Sequence, residues 1–350
     1  MDVKKTIADF AKIIELKIEQ YWDEEISRNF GFNQHQKDLV LKILNHAKEH
    51  NLRPGKRLRA SLVYYGYLLG KPEDERIFKA AMAVELVHSA LLIHDDFMDQ
   101  DDIRRGLPTT HQFFANGDDH YGASMALNLG DIILTLGYEL LLKCGFEPEL
   151  VNKAAAKLLR TAINTGYGQA LDISLEKIPD MDESDPIAVY KTKTALYTYE
   201  NPLVIGAILA GLDQEILDIL HDYAMDAGVA FQIQDDILGV FGDSQKTGKS
   251  DNSDLLQGKG TLLAIYTLKN GSESQKQAFK NIWGKRIASD GNILAAKQAI
   301  QESGALAYSE KISRDLAKKA KENISKLDNL NPLSLDYLKG IAEYMVNRDV

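Results

Sequence analysis

The stretch ALLIHDDFMDQDDIRRG, residues 90–106, decides the fold class and raises the question of function. Apolar residues lead straight into five aspartates, and two adjacent arginines follow. The apolar residues recur at three- and four-residue intervals, which predicts an α-helix that ends in a carboxylate cluster. Carboxylates at this density repel one another. The stretch is therefore either a cation site or a solvated acidic turn.

Helical periodicity extends over most of the chain. The stretches with this pattern are residues 33–50, 75–95, 121–143, 149–170, 187–211, 213–241, 259–269, 290–302 and 306–326. Strict alternation of apolar and polar residues is nearly absent, so we expect no significant sheet and one all-α domain over residues 1–350. Pro202 lies inside a helical stretch and predicts a kink. The polar residues 241–261 predict a mobile loop.

The composition limits the compartment and the partners. The chain has 350 residues, a net charge of −10 and one cysteine, Cys144. An acidic protein lacks the clustered positive charge that nonspecific nucleic-acid binding needs. A single cysteine forms no intrachain disulfide, which fits a reducing compartment, and we expect Cys144 to pack in a helix. The N-terminus reads as an amphipathic helix, and the apolar residues 201–212 are too short to span a bilayer. We therefore expect a cytosolic protein without a transmembrane segment.

The first acidic cluster has the chemistry of a magnesium site. Asp95 and Asp99 are four residues apart and share a helix face, and His88 lies two turns before Asp95 on nearly the same face. Mg²⁺ prefers oxygen ligands and binds through one or two carboxylates together with substrate phosphates. Arg104 and Arg105 follow, and arginine suits phosphate oxygens.

A second acidic cluster strengthens the cation-site interpretation. The stretch FQIQDDILGVFGD, residues 231–243, places Gln232 one turn before Asp235 and Asp236 on another apolar helix. Two such helices that face each other could hold several Mg²⁺ ions and a diphosphate. Basic residues that could bind the diphosphate are Lys56, Arg59, Lys193, Lys249 and Lys259, although any one of them alone reads as an ordinary surface residue. The TGKS sequence at 247–250 is not a nucleotide-binding loop, because Asp243 replaces the required glycine and a helix precedes it.

These motifs resemble those of the trans-isoprenyl diphosphate synthases, the polyprenyl synthetases. The matching pieces occur in the order of that family: GKRLR, HSALLIHDDFMDQDDIRRG, GQALD, KTALY, FQIQDDILGVFGD, TGK and DLLQGKGT. They extend over roughly residues 55–261. The resemblance implies an all-helical isoprenoid synthase fold around a deep central cavity, usually in a homodimer. It also implies condensation of isopentenyl diphosphate with an allylic diphosphate.

The resemblance assigns a role to each matching residue. It implies about three Mg²⁺ ions, two on Asp95 and Asp99 and one on Asp235. Supporting carboxylates would be Asp96, Asp172 and Asp236. The allylic diphosphate would be bound by Arg104, Lys193 and Lys249, and isopentenyl diphosphate by Lys56, Arg59, His88 and Arg105. Gln169 and Lys259 would also bind substrate. Thr194, Gln232 and the Lys193 carbonyl would face the ionising carbon, so the catalytic set is Lys193, Thr194, Gln232, Asp96 and Asp236.

One position departs from the family pattern. The second motif of the family often reads DDxxD, but this chain has Gly239 in the last place. If that carboxylate binds metal only through water, activity survives; if it is a direct ligand, the chain would be an impaired or helper subunit. We favour the first interpretation, because the rest of the phosphate-binding set is complete.

The residues before the first cluster predict the product length. A helical turn rises about 5.4 Å, similar to an extended isoprene unit, so each turn upstream of Asp95 admits about one more unit. The residues there are Ala90, Leu91 and Val87, and none is aromatic. We predict geranylgeranyl diphosphate, with farnesyl or longer products as alternatives. A partner helix, such as 121–143 with Tyr138 and Met125, could set the limit instead.

Three other functions compete with this interpretation. A terpene cyclase or a head-to-head synthase shares the aspartate motifs but needs no second diphosphate site. A non-catalytic subunit of a heteromeric prenyl synthase would explain Gly239. A helical protein with acidic surface turns would bind neither Mg²⁺ nor diphosphate.

Overall fold

The computed structural model describes residues 1–175, 182–242, 252–285 and 287–346, and they are almost entirely helical. The elements in chain order are α1 (Val3–Ile26), α2 (Gln34–Leu52), α3 (Leu58–Leu68), α4 (Arg76–Met98), β1 (Ile103–Arg104), β2 (Leu107–Pro108), α5 (Thr110–Ala115), α6 (Asp119–Leu142), α7 (Pro148–Leu175), α8 (Ser184–Val189), a π-helix (Tyr190–Glu200), α9 (Asn201–Leu209), α10 (Gln214–Phe241), α11 (Ser253–Gln257), α12 (Leu262–Asn270), α13 (Glu273–Lys280), α14 (Asp290–Glu302), α15 (Ala305–Ile324), a 3₁₀-helix (Ser325–Leu327) and α16 (Pro332–Val346). Within the described ranges, β1 and β2 are the only strands. The predicted all-α class is confirmed.

Each of the nine predicted periodic stretches contains helix, but five further helices of the described residues were not predicted: α3, α5, α11, α13 and α16. In α3, apolar side chains are buried on every side, so the helix has no polar stripe. The helices α5 and α13 span only six and eight residues. The last, α16, begins at Pro332, which is exposed. Pro202 is the second residue of α9, directly after the π-helix, where a missing N–H is tolerated. The kink stays a prediction.

The prediction of one irregular loop over 241–261 is wrong for its second half. Residues Ser253–Gln257 form α11, and Leu255 is buried in a cluster with Val240 and Leu262. The indole of Trp283 donates a hydrogen bond of 3.2 Å to the Lys259 carbonyl. Among the described residues of this stretch, Asn252 and Gly258 cap the two ends of α11, and Leu255 supplies its packing.

The chain groups into two compact units. The first consists of Asp2–Ala156 and Ile205–Leu212. In it, α4 packs against α6 and α3, and α6 also packs against α5. Glycines on α6 make the contact with α4 close: a Cβ atom on Gly137 would lie 2.7 Å from Cγ2 of Val87, and one on Gly130 would lie 2.1 Å from Nε2 of His94. Cys144 is a buried free thiol here, as predicted, but it lies just after the end of α6 and not in a helix.

The second unit consists of Met1, Lys157–Val204 and Asp213–Val350. Its central helix is α10, which packs against α15, α16 and the π-helix. The hydroxyl of Tyr223 on α10 donates a 2.7 Å hydrogen bond to the carbonyl of Leu338 on α16. That the whole chain is a single domain stays a prediction.

Two helices, α4 and α6, are long and apolar enough to cross a membrane by length and composition alone. The apolar window of α4 is 72% buried, as in the core helix of a globular unit, while that of α6 is 33% buried. Among the described residues, α4 and α6 therefore come nearer to a membrane span than residues 201–212 do, and the absence of a transmembrane segment stays a prediction.

Candidate active site

The first acidic cluster lies where α4 ends. The last helical residue is Met98, and Asp99 is the C-cap residue. The Asp99 N–H donates a hydrogen bond of 2.8 Å to the Asp95 carbonyl. The chain then turns through β1 and β2, with Arg105 and Gly106 in the left-handed region at φ 54° and 78°. Two such residues between antiparallel strands are typical of a tight hairpin turn. This hairpin brings Arg104 back to the aspartates that precede it.

Arg104 is ion-paired with the cluster. Its guanidinium contacts the Asp96 carboxylate directly and lies 3.7 Å from Asp95 and 3.5 Å from Asp101. Asp96 is fully buried, and its Oδ2 has no hydrogen-bond partner within the part of the chain that the structure describes. Burial raises the pKa of Asp96 to about 6, against the opposing effect of Arg104. The guanidinium therefore partly neutralises a group of carboxylates that would otherwise repel one another.

A cationic pocket adjoins this cluster within the same unit. Its lining residues are His50, Asn51, Arg53, Arg57, Glu85, His88, Ser89, Leu92, Arg104 and Arg105. Four of these are arginines, against one carboxylate. Burial, together with Arg57, lowers the pKa of Arg105 to about 10. Burial, together with Arg59, holds the pKa of His88 well below its usual range, so the neutral ring accepts a hydrogen bond from Arg59 at 3.0 Å. A pocket with this excess of guanidinium groups suits a multiply charged anion.

Sequence reasoning missed two arginines of the cationic pocket. Arg53 donates to the carbonyls of Arg104 and Pro108, which fixes the hairpin. The backbone of Arg57 adopts the left-handed conformation at φ 49°, and its guanidinium donates a hydrogen bond of 2.9 Å to the Glu15 carboxylate. Both arginines lie in the basic stretch RPGKRLR, residues 53–59, beside Lys56 and Arg59, which the sequence predicts to bind substrate. This stretch is the sequence signal that could have identified them.

The predicted binders Lys56, Arg59 and Arg105 have different positions. Arg105 lines the cationic pocket and donates to the Arg53 carbonyl at 3.0 Å. Arg59 reaches this pocket through its hydrogen bond to His88. Lys56 is exposed and is not among the lining residues. Gly55 is needed here, because a Cβ atom would lie 3.0 Å from Nη1 of Arg105.

In the second unit, a chain of hydrogen bonds joins the π-helix to α10. Thr194 donates to the Gln232 carbonyl oxygen at 2.7 Å, and the Gln232 amide donates to Oδ1 of Asp236 at 2.8 Å. The hydroxyl of Tyr190 donates to Oδ2 of Asp236 and accepts from the Leu262 N–H at 3.0 Å. Burial, and then the Asp236 charge, holds the pKa of Tyr190 well above its usual range, so the phenol stays a donor. Tyr190 gave no sequence signal, because it precedes the KTALY motif by three residues.

Glycines let the helices of this unit approach closely. A Cβ atom on Gly228, one turn before Gln232, would lie 2.5 Å from Cα of Ala195, next to Thr194. A Cβ atom on Gly168 would lie 2.9 Å from the backbone nitrogen of Lys193. The wide turns of a π-helix, which occur often at functional sites, thus lie between α7 and α10.

The contact at Gly168 brings the GQALD motif to Lys193. The Lys193 ammonium donates to Asp172 at 2.7 Å. Gln169 is buried, and among the described residues neither its amide nitrogen nor its oxygen has a hydrogen-bond partner. Because a buried amide without partners costs free energy, this side chain has unused binding capacity.

The remaining predicted residues are placed as follows. Asp235 is half-buried on α10, and Lys259 is half-buried directly after α11. Lys249 lies outside the described residues. Ala90 and Val87 are fully buried on α4, and Leu91 is half-buried. Val87 contacts α6 at Gly137, so the predicted partner helix does pack against α4.

The carboxylates fit Mg²⁺ by their chemistry. Among the described residues, no group of three or more histidine, cysteine, aspartate or glutamate side chains forms a metal cage by itself. That matches Mg²⁺, which binds through one or two carboxylates and completes its shell with water and substrate phosphates. Asp95 and Asp99, four residues apart at the end of α4, offer such a partial set.

The comparisons with known proteins agree with this geometry. The sequence pattern of the family described as polyprenyl synthetase matches residues 41–301. The chain belongs to the polyprenyl synthetase family. Over 299 residues it is 34% identical to geranylfarnesyl diphosphate synthase of Aeropyrum pernix, with 84% of this chain and 90% of that one covered.

Two further relatives of this polyprenyl synthetase carry the geranylgeranyl name. The Saccharolobus solfataricus geranylgeranyl diphosphate synthase is 32% identical over 88% of this chain and 91% of its own length. A crystal structure of geranylgeranyl pyrophosphate synthase from Corynebacterium glutamicum, complexed with isoprenyl diphosphate and magnesium, superposes with a TM-score of 0.89. It is 27% identical and covers 99% of this chain and 100% of its own. The protein is a prenyltransferase of this family, and the resemblance deduced from its motifs is confirmed.

Proposed function

We propose that this polyprenyl synthetase condenses isopentenyl diphosphate with an allylic diphosphate and releases an all-trans prenyl diphosphate, with geranylgeranyl diphosphate as the main product. The observation that carries the proposal is the cationic pocket of four arginines beside the acidic end of α4. A terpene cyclase binds one diphosphate and has no use for a second anion pocket. The proposed occupant of this pocket is the diphosphate of isopentenyl diphosphate.

The acidic motifs are assigned to the allylic diphosphate. Asp95 and Asp99 would hold Mg²⁺ through their carboxylates, and Asp235 would hold a further ion, about three in all by family resemblance. Bound Mg²⁺ supplies positive charge to the departing diphosphate. Asp96, buried and paired with Arg104, keeps the guanidinium next to Asp95, where it can bind a phosphate oxygen.

The second unit offers the groups for a developing cation. The Thr194–Gln232–Asp236 chain fixes three oxygen and amide dipoles in one arrangement, which is the kind of preorganisation that stabilises charge in a dry site. Lys193 is held by Asp172 and is assigned to the diphosphate, with Lys249 and Lys259. The unpaired amide of Gln169 is assigned to substrate.

The reaction ends with the loss of a proton. The neutral His88 is already an acceptor for Arg59 and is not available as the base. We assign the proton to the departing diphosphate, whose oxygens would lie close to the new bond.

The product length, the oligomeric state, the domain organisation and the cellular location are proposals as well. Fully buried, non-aromatic Ala90 supports a cavity that extends along α4 beyond a fifteen-carbon chain, whereas Val87 packs against Gly137 of α6. We further propose a homodimer, a single functional domain over residues 1–350 and a cytosolic location.

One experiment tests the function directly. The purified chain is incubated with Mg²⁺, isopentenyl diphosphate and dimethylallyl, geranyl or farnesyl diphosphate in turn, and the products are separated by chain length. We expect a twenty-carbon diphosphate from each primer and no product without Mg²⁺. A cyclic hydrocarbon would identify a cyclase, and binding of both substrates without turnover would identify a helper subunit.

A further inference from the structure

The space beside Gly239 is filled by a carboxylate from elsewhere in the chain. A Cβ atom built on Gly239 would lie 2.3 Å from Oδ2, 3.2 Å from Cγ and 3.9 Å from Oδ1 of Asp254. The first of these distances is about that between a carboxylate oxygen and the Cβ atom of its own side chain. Oδ2 of Asp254 therefore lies in the space that a side chain at position 239 would take, although its Cγ and Oδ1 lie too far from this Cβ atom to overlie an aspartate side chain there.

Asp254 is held firmly in that place. It lies in the first turn of α11 and is 9% exposed. Its carbonyl accepts the Lys259 N–H at 3.0 Å, which closes the end of the helix. The Gly284 N–H bonds the Leu255 carbonyl at 3.1 Å, and a Cβ atom on Gly258 would lie 2.8 Å from Cα of Gly284. These backbone contacts fix α11 against its own unit.

The Asp254 carboxylate also lies near the second acidic motif. Its charge contributes to the raised pKa of Tyr190, after burial and the larger effect of Asp236, which accepts the Tyr190 hydroxyl. Gly239 is one turn after Asp235 and three residues after Asp236 on α10. Asp254 thus adds a carboxylate on the side of α10 where the sequence motif ends in glycine.

We infer that Asp254 supplies the third carboxylate of the second acidic motif, in place of the one that Gly239 lacks. This inference rests on the proposed function, because it assigns Asp254 to the Mg²⁺ site of Asp235. Asp254 acts as a positioning residue: it orients the water ligands of the ion rather than touching substrate. Loss of such an outer partner typically weakens metal affinity about 10- to 100-fold.

A binding experiment without turnover tests this role. Inorganic pyrophosphate is held at a fixed saturating concentration, Mg²⁺ is titrated, and thermal stabilisation of the full chain is recorded. For Asp254→Asn we expect the Mg²⁺ midpoint to rise at least tenfold. The double variant Gly239→Asp with Asp254→Gly moves the carboxylate back onto α10 and should restore the midpoint to within about threefold of the original protein.

Two controls separate the possible failures. Asp226 lies on α10, the helix that carries Gly239. Like Asp254 it is 9% exposed, and it pairs with Lys319, so Asp226→Asn should lower thermal stability without moving the Mg²⁺ midpoint. Asp95→Asn should weaken Mg²⁺ binding whatever Asp254 does. An unchanged midpoint in Asp254→Asn with a changed one in Asp95→Asn overturns the inference and leaves the proposed function standing. An unchanged midpoint in both overturns the proposed function too. If Asp254→Asn does not fold, the double variant decides: a midpoint at least tenfold above the original overturns the inference.

Discussion

The hydroxyl of Tyr190 donates a hydrogen bond to the buried carboxylate of Asp236 on another helix. The same oxygen accepts the Leu262 N–H at 3.0 Å, so one phenol joins the π-helix, α10 and the start of α12. Asp236 in turn accepts from Gln232, which accepts from Thr194. The orientation of the proposed catalytic amide thus depends on a tyrosine outside the sequence motifs.

Tyr190→Phe should therefore affect both stability and rate. It removes the donor to Asp236 and leaves the Leu262 N–H unpaired, which costs about 1–3 kcal/mol of unfolding free energy. We expect kcat to fall about tenfold, equivalent to about 1.4 kcal/mol, because Asp236, the partner of Gln232, is no longer held by the tyrosine hydroxyl. Urea unfolding and steady-state kinetics measure the two effects. Tyr167→Phe, at a 69% exposed position, is the control and should change neither. A rate unaffected by Tyr190→Phe would contradict the role of the hydrogen-bond chain.

Arg105→Lys should weaken isopentenyl diphosphate binding selectively. Arg105 sits in a left-handed turn and bonds the Arg53 carbonyl, which aims a planar guanidinium at the cationic pocket. A lysine keeps the charge but loses the fork of donors. We expect KM for isopentenyl diphosphate to rise about tenfold, and KM for the allylic substrate to change less than twofold. The exposed Arg28→Lys is the matched control. A larger effect on the allylic KM would show that the cationic pocket binds the allylic diphosphate and not isopentenyl diphosphate.

Gly168→Ala and Gly166→Ala, two residues apart on α7, should have opposite effects. A Cβ atom at 168 would lie 2.7 Å from the Thr192 hydroxyl and 2.9 Å from the Lys193 nitrogen, whereas one at 166 meets nothing within 4 Å. We expect Gly168→Ala to cost about 1–3 kcal/mol by overpacking and to lower activity by displacing Lys193. Gly166→Ala should stabilise the protein by up to about 1 kcal/mol through helix propensity. Chemical denaturation of both variants measures the difference, and equal stabilities would refute the close approach of α7 to the π-helix.

Ala90→Phe should shorten the product. Ala90 is fully buried on α4, five residues before Asp95, so a ring there fills space that the growing tail is proposed to use. We expect farnesyl diphosphate to replace most of the twenty-carbon product, with the first condensations little affected. Product analysis by mass measures the ratio. Leu91→Met, a change of similar volume one residue on, should leave the distribution unchanged. An unaltered product from Ala90→Phe would show that the limit lies on another helix.

The sequence predicted the elements with strong helical periodicity and both acidic motifs, because aspartates at fixed spacing on apolar stretches carry their own signal. It missed α3, since a helix buried on all sides has no polar stripe. It missed Arg53, Arg57 and Tyr190, since their roles depend on backbone carbonyls and carboxylates that are distant in sequence. Asp254 is the first residue of the DLLQGKGT motif, and nothing in the sequence relates it to Gly239. Such contacts arise from packing and are not encoded in local spacing.

The protein should lose stability as the pH falls below about 6.5, partly because His46 is buried and neutral. Its ring stacks on Phe113 at 4.1 Å and its Nε2 lies 3.1 Å from the Thr110 hydroxyl. Burial lowers the pKa of His46 from 6.5 to about 4. Between these values the unfolded chain binds a proton that the folded chain does not, so this contribution to stability is complete above 6.5 and decreases towards 4.

The matched variant isolates that contribution. His46→Gln keeps a polar side chain but cannot take up the proton, so its unfolding free energy should fall by about 2 kcal/mol less than that of the original protein between pH 6.5 and pH 5. His50 and His88, whose pKa values burial also lowers, would account for part of the remaining slope. Urea unfolding at several pH values measures the slopes. His35→Gln, an exposed position on the same helix, should leave the slope unchanged. If His46→Gln had the slope of the original protein, the His46 ring would already be accessible to protons in the folded state.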